Sequence, residues 1–580
     1  MADTERPFAV EDAGADVLSA GLTLGETSLG IEGGFRSLVR RVCCGKAWVC
    51  LLMRECSLST VFSLRSYRGV WRVAVILAVL QAGYAGWFIY RSSFLVEGQR
   101  FFCLFDDAMI SMRYAANWAD GHGLVWNPGE RVEGYTNFGW TAIMGLCHLL
   151  GLTPSHTCLV IQLLGIPVLW GCLAGTLLLA KSCRLVPVVA CGAMMLAVAQ
   201  WNLNFFTLVG MESGLLTLMV TFALRESVLA IRKREGRVAP MLWFAGALLI
   251  RPDALILLLF SAVFLLVAAP RKRSRTIVGL VIVAVVMSAH LLWRHHFYGD
   301  WFPNTYYLKA TGWALADRLP AGVRTGVWTA VTLGLPFLVG LASVSRPRSW
   351  QVLLSGAFLL SFAYEVYVGG DAWPKHYRFV LPTTFGLMVF AAQGIYRISR
   401  TFSSARSQRG FRLVLTLMVL LVNNSLHRDH WLLRLPPPGT LANQTSVRYA
   451  LAAGSVAKPD ATAAVTWAGA FPYFSRRRCF DLLGKCDPHI ARLPAHTRVK
   501  TAGHNKFDPE WTLSTYKPDL VVDGLRIMDP GFIKVYRPVQ VEVDGAALMF
   551  SVRRDSVKIT GGKRVTWDVG RRVFVNTPRF

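Results

Sequence analysis

The sequence predicts a polytopic α-helical membrane protein of about eleven crossings, followed by a small C-terminal α/β domain held outside the membrane. Three observations carry this prediction. The 580 residues are 53% hydrophobic, with a mean hydropathy of +0.40. Apolar runs near the length needed to cross a bilayer recur about a dozen times. Clusters of Lys and Arg punctuate those runs, and no long apolar run follows Trp431. A soluble core does not need so many unbroken apolar segments.

Residues 1–34 are acidic and Gly-rich, with Arg6 as the only basic side chain, whereas Arg36, Arg40, Arg41, Lys46, Arg54, Arg65, Arg68 and Arg72 crowd the next stretch. This pattern predicts a disordered tail and then a basic surface segment on the cytoplasmic side, together residues 1–69. The first apolar run begins only near Val70, so no cleavable signal peptide is expected. Residues 70–430 form the expected membrane module, with a first outer loop at 92–135. Further runs follow at 136–152, 157–180, 186–200, 203–226, 239–251, 252–268, 274–294, 324–345, 350–368, 379–397 and 411–427.

Net charge is +27. The positive-inside rule accounts for it, because Arg232-Lys233-Arg234, Arg271-Lys272-Arg273, Arg346 with Arg348, and the stretch 397–412 all fall between apolar runs. No nucleic-acid motif or aromatic platform accompanies this charge, and no nucleic-acid partner is expected. Placing those four connections in the cytoplasm puts Arg251-Pro252-Asp253, Tyr298-Gly299-Asp300, Gly369-Gly370-Asp371 and the C-terminal domain on the opposite face. Parity then requires one run to be re-entrant or interfacial, with 136–152 and 186–200 as the short candidates. Pro436-Pro437-Pro438 marks the linker into the last domain, residues 431–580. Cys147, Cys172 and Cys191 lie inside apolar runs and read as small buried hydrophobes.

The first outer loop holds the most informative chemistry. Asp106-Asp107 open a stretch in which helical spacing puts Asp106, Ile110, Arg113 and Asn117 on one face. A helix cap explains one acid. It does not explain two adjacent acids accompanied by Asp120, Glu130 and Glu133. Transfer of a sugar from a lipid phosphate to a hydroxyl needs a carboxylate base, and cations or a metal to stabilise the departing phosphate. A carboxylate pair serves both needs, one acid as base and the other as metal ligand or hydrogen-bond partner. The outer face supplies the cations Arg251, His295, His296, Lys309, Lys375, His376 and Arg378.

From Asp106 to Asn137 the chain resembles the first-loop signature of GT-C glycosyltransferases, in particular the group of the mycobacterial terminal arabinofuranosyltransferase. The resemblance continues in order through Gly210-Met211-Glu212-Ser213, Arg251-Pro252-Asp253, the stretch from Tyr298 to Lys309 that contains Asn304 and Tyr307, Gly369-Gly370-Asp371, and Arg378-Phe379-Val380-Leu381-Pro382. It covers roughly residues 70–500 and leaves out the N-terminal extension.

The resemblance implies a GT-C fold and inverting transfer from a polyprenyl-phosphate sugar, arabinofuranose being one candidate, to a cell-envelope glycan or lipid acceptor at the periplasmic face of the inner membrane. It assigns Asp106 as the base, with Asp107 as the alternative base or as a metal or phosphate partner. Donor-phosphate and substrate binding falls to Arg113, Glu133, Asn137, Glu212, Arg251, Asp253, His296, Asn304, Tyr307, Lys309, Asp371, His376 and Arg378. No cofactor is required by the sequence, and a divalent cation, Mg or Mn, is carried as an option at Asp107. Cys479 and Cys486 are candidates for a disulfide in an oxidising compartment. Two rival readings are a transporter or channel, against which stand the missing inverted repeat and the gathering of polar motifs at one face, and a non-catalytic scaffold of the same fold.

Overall fold

The computed structural model describes residues 67–496, 499, 501–522, 530–568 and 573–576. The acidic tail and almost all of the basic surface segment therefore lie outside the described residues. The chain divides into two compact units, Met1–Val73 and Ala74–Phe580. Of the first, only the opening turns of the helix Tyr67–Ser92 are described.

The protein is a multi-pass membrane protein. Among the described residues six helices are long and apolar enough to cross a bilayer: Tyr67–Ser92, Pro154–Ser182, Ser213–Lys233, Arg273–Tyr298, Leu315–Leu341 and Ala405–Trp431. The pair Pro187–Val198 and Trp201–Leu208, bent by 53°, makes a seventh if it is one span. By length and composition alone this is fewer than the expected eleven or so, several of the apolar runs forming shorter helices. The run 136–152 yields only the 11-residue helix Phe138–His148. The runs 239–251 and 252–268 form separate helices of 12 and 15 residues on either side of Arg251-Pro252-Asp253. At 1.5 Å per residue, 12 residues cover about 18 Å of a hydrocarbon core about 30 Å thick. Membrane character shows on the outer faces, where Val278, Val281, Val285 and Leu292 of one helix are all exposed. In water that stripe would seek a cover; in lipid it is already solvated.

The C-terminal region folds around a seven-stranded mixed sheet of order β4-β3-β5-β7-β6-β8-β9. Its strands are β3 (Ala463–Val465), β4 (Cys479–Asp481), β5 (Leu520–Val522), β6 (Tyr536–Val543), β7 (Ala546–Arg553), β8 (Lys563–Asp568) and β9 (Val573–Asn576), a hairpin of β1 (Phe94–Val96) and β2 (Gln99–Phe101) having come earlier. β3 runs parallel to both β4 and β5, and the remaining pairs are antiparallel. Every residue of β3, β4 and β5 is buried, as parallel strands covered on both faces require. Ala464, Leu482, Val521 and Tyr536 make their core. In such sheets ligands gather beyond the carboxyl ends of the strands. Here the chain leaving β3 carries Trp467 to Ala470, and the chain leaving β4 carries Gly484 to Asp487.

This sheet and the helices belong to one compact unit, because the segment 92–135 is stitched to it. Asn127 exchanges two hydrogen bonds with the Cys479 backbone, donating to its carbonyl at 2.8 Å and accepting from its N–H at 3.1 Å. Trp126 Nε1 donates to the Ala468 carbonyl at 3.1 Å.

Candidate active site

The helix Asp106–Ala119 starts directly after the extended Phe105, so both acids sit in its first turn, at the positive end of the helix dipole. Neither acid caps that helix in the usual way. Asp106 Oδ1 instead accepts the Ala470 N–H from the C-terminal region at 3.0 Å. Its Oδ2 is buried and has no hydrogen-bond partner among the described residues. Burial pushes this carboxyl up to about 6; Lys485 and the Ala470 N–H pull the other way, while Asp107 adds to the rise.

Asp107 lives one residue away in the opposite environment. Its Oδ1 lies 3.4 Å from Lys485 Nζ and its Oδ2 lies 3.5 Å from Arg378 Nη1. Deep as it lies in the protein, 35% of its side chain remains open, as a group lining a cavity would be. Burial would raise its pKa, yet Lys485, Arg378, Lys309 and His504 outweigh that and hold the carboxyl well below the usual range. Arg378 is itself steadied by Asp371, Nε to Oδ2 at 2.9 Å. Burial and Lys485 push His504 down to about 4, so it stands neutral beside them.

A second cluster lies across Phe379, whose ring has Arg251 5.1 Å away and Arg378 5.8 Å away. Arg251 grips Asp253 with Nε and Nη2 at 3.0 and 2.8 Å and reaches Glu212 at 3.3 Å. Asn137 donates to the other Glu212 oxygen at 3.2 Å and receives the Ser111 hydroxyl at 2.9 Å. The structure thus brings Asp106, Asp107, Lys309, Asp371 and Arg378 to one place and Asn137, Glu212, Arg251 and Asp253 to the neighbouring one.

Other expected binding residues have different work. Arg113 is almost wholly buried, with its three nitrogens each donating to a carbonyl, of Trp126, Pro472 and Arg477; it ties the first loop to the C-terminal region. Asn304 Nδ2 lies 3.0 to 3.1 Å from the carbonyls of Gly484, Lys485 and Asp487. His376 is buried among Phe205, Phe206, Trp373 and His427 with both ring nitrogens unsatisfied, and burial, with His427 and Lys375 nearby, pushes its pKa down and disfavours the imidazolium. Tyr307 donates to Asp300 and stacks under Arg492. His296 is exposed at the end of its helix. Glu133 pairs with Arg294 in a buried contact. Cys479 and Cys486 are both free thiols: the first donates to the Arg477 carbonyl and the second sits 3.9 Å from the Tyr114 hydroxyl, so the expected disulfide is absent. Cys147, Cys172 and Cys191 are free and buried.

A divalent cation fits poorly. Among the described residues no group of three or more His, Cys, Asp or Glu side chains is arranged to hold a metal ion. The nearest charges to Asp107 are Lys485 and Arg378, which repel a dication and already neutralise the carboxylate.

Sequence reasoning reads Gly469 as a strand-to-helix turn and gives neither it, Ala470 nor Lys485 a place beside the two acids. Gly469 abuts Asp106 so closely that a Cβ on it would stand 2.1 Å from the Asp106 carbonyl oxygen. Gly469→Ala is therefore expected to destabilise the protein by about 1–3 kcal/mol through overpacking, read as a lowered thermal midpoint in detergent, whereas Ala at the unhindered Gly454 leaves the midpoint in place.

Comparison with known proteins gives these positions a context. Residues 439–565 match a domain of unknown function (DUF8728). The chain is 26% identical over 339 residues to the terminal beta-(1->2)-arabinofuranosyltransferase of Corynebacterium glutamicum, covering 49% of this chain and 47% of that protein. It is 25% identical over 271 residues to the enzyme of the same name from Mycobacterium tuberculosis, covering 42% of each. The matched part thus spans less than half the length of these relatives. In fold the chain is similar to ArnT from Cupriavidus metallidurans, with a TM-score of 0.53 at 13% identity over 82% of this chain and 97% of that one. It is also similar to the oligosaccharyltransferase of Archaeoglobus fulgidus, with a TM-score of 0.51 at 10% identity over 87% and 76% of the two chains. The protein is therefore a multi-pass membrane protein of the GT-C fold that resembles the terminal arabinofuranosyltransferases in sequence.

Proposed function

We propose that this protein is an inverting glycosyltransferase that moves a sugar, arabinofuranose being the leading candidate, from a polyprenyl-phosphate donor to a cell-envelope glycan or glycolipid on the extracytoplasmic side of the inner membrane, with its N-terminus in the cytoplasm. One observation carries the reading: two adjacent acids have been driven apart in character. Asp106 keeps a buried oxygen with no partner and an elevated pKa, as a general base working near neutrality needs. Asp107 is held ionised between Lys485 and Arg378. Pairs of titratable groups pushed apart by their surroundings are how acid and base roles are divided.

The reaction follows from this division. Asp106 Oδ2 accepts the proton of the acceptor hydroxyl as that oxygen attacks the anomeric carbon. The bond from that carbon to the phosphate oxygen breaks, and its electron pair leaves on the polyprenyl phosphate. Lys309 and Arg378, already in the field of Asp107, stabilise the departing charge. The likeness to sugar-transferring proteins and the absence of a visible repeat both support this reading over a transporter.

The test is to incubate purified full-length protein with a panel of polyprenyl-phosphate sugars and a glycan acceptor. One lipid is expected to be consumed, with polyprenyl phosphate released in step with the extension of the acceptor. Consumption of none would favour a non-catalytic scaffold. Because the base must be ionised, the rate is expected to rise with pH through about 6 and then level off, following the Asp106 carboxyl. A rate falling across that interval would rule out a carboxylate base at this position.

A further inference from the structure

Lys485 lies within residues 439–565, which match a domain of unknown function, and its side chain, 7% exposed, ends 3.4 Å from Asp107. A lysine is seldom buried without a purpose, since removing its charge from water is costly unless it is paired. The loop around it is built to hold it there. Gly484 turns the chain at φ +75°. Asp481 accepts the Leu483 and Cys486 N–H groups at 2.9 and 2.8 Å, bracketing the turn from within. Asn304 donates toward the Gly484, Lys485 and Asp487 carbonyls. The Asn304 N–H donates in turn to the Glu133 carbonyl. At Gly134 a Cβ would come within 2.6 Å of Cys486 Sγ and 3.0 Å of the Lys485 carbonyl. The segment 92–135, the segment after Tyr298 and the C-terminal region thus converge on the backbone of one lysine.

We propose that Lys485 is a positioning residue of the catalytic centre: it ties the Asp107 carboxylate to itself and Arg378, and so leaves Asp106 as the acid with an oxygen free for the acceptor. The role assigned to Asp106 rests on the transferase reading; the tie between Lys485 and the two acids does not. The C-terminal region is on this view half of the active site. The charged and titratable groups facing the two acids are Asp481 at the end of β4, Lys485 from the loop that follows it, Arg378, Lys309, His504 and the Cys103 thiol.

Two variants test this, Lys485→Gln and Lys485→Arg, in the full-length protein. Carboxyl labelling by a carbodiimide, which attacks protonated carboxylates, is followed at each Asp by mass spectrometry from pH 5 to 8. In the parent protein Asp106 is expected to be labelled with a midpoint near 6 and Asp107 to stay unlabelled. Lys485→Gln is expected to move the Asp106 midpoint up by about one unit and to expose Asp107 to labelling at low pH, and Lys485→Arg to restore the parent pattern in large part. In transfer assays, Lys485→Gln is expected to lower kcat about twofold at pH 7 and about tenfold near pH 5, shifting the pH–rate midpoint upward with the labelling. An unmoved labelling pattern overturns the proposal, as does a rate loss that is equal at every pH. A rise in donor KM alone, with the pH profile intact, also overturns it and makes Lys485 a phosphate-binding group. If no variant or parent transfers sugar, the labelling still decides the role of Lys485 while the transferase reading fails separately.

Discussion

Asp106→Asn is expected to lower transfer by about 10²- to 10⁴-fold, the range over which a positioned base acts, while the protein stays folded and inserted in the membrane. The substitution keeps shape and volume. The Asn carbonyl retains the place of Oδ1 under the Ala470 N–H, and its amide occupies the place of the unpartnered Oδ2, so what is lost is the capacity to take a proton. The stability sign follows from the same burial. A carboxyl whose pKa is raised on folding binds its proton more tightly in the native state. The ionised form therefore costs stability, starting above the unfolded value of about 3.9 and reaching its full extent once pH exceeds about 6. Asn carries no such cost, and at pH 7 the thermal midpoint of the variant is expected to match or exceed the parent's. Full activity in Asp106→Asn would sink the base assignment. So would an inactive variant whose midpoint has collapsed, since the loss would then report unfolding. Asp107→Asn separates the acids: it strands Lys485 and Arg378 without their shared counter-charge.

The membrane class was legible because a bilayer imposes its length and its polarity on local sequence. Asp106-Asp107, Arg251 with Asp253, and Arg378 with Asp371 were legible because the partners lie within a few residues of each other or within ordered motifs. What could not be read was set by contacts across the chain. Ala470 donates to an acid 364 positions earlier, and nothing local to Lys485 says that Asp107 is its counter-charge. A faint signal existed, a single Lys directly after the turn glycine that follows the apolar Leu482-Leu483 pair. His376 shows the opposite failure. Membership of one face suggested a cation, but burial among aromatic rings disfavours the charge. Arg113 was placed on the correct helix face with Asp106, and only the fold reveals that its donors end on backbone carbonyls. Helix boundaries were legible where a polar break interrupts the apolar residues: Arg251-Pro252-Asp253 separates the runs 239–251 and 252–268 in the sequence and separates two helices in the fold.

Arg294→Leu is expected to be the most destabilising single change near the site, by about 3–5 kcal/mol, the cost of leaving one member of a buried ion pair alone. Arg294 Nε lies 2.6 Å from Glu133 Oε2 and Nη2 lies 3.2 Å from Oε1, with side chains only 6% and 2% exposed. Burial already pushes the Glu133 carboxyl up to about 7 against the pull of Arg294. Without the arginine it rises further, so ionising it in the folded state becomes harder still. The loss should therefore deepen as pH rises from 6 to 8, because the unfolded chain releases the proton and the folded chain resists doing so. Glu133→Gln in the Arg294→Leu background removes the stranded acid and is expected to recover part of the thermal midpoint and to erase its added pH dependence. The effect should reach the active site as well. Glu133 offers its carbonyl to the Asn304 N–H, and Asn304 holds the loop that presents Lys485. Conditions mild enough to keep Arg294→Leu folded should therefore still show carbodiimide labelling of Asp107, which is not expected in the parent. Unchanged stability in Arg294→Leu at both pH values would mean that water or another group satisfies Glu133, and the pair would lose its place as the brace between the first loop and the Lys485 turn.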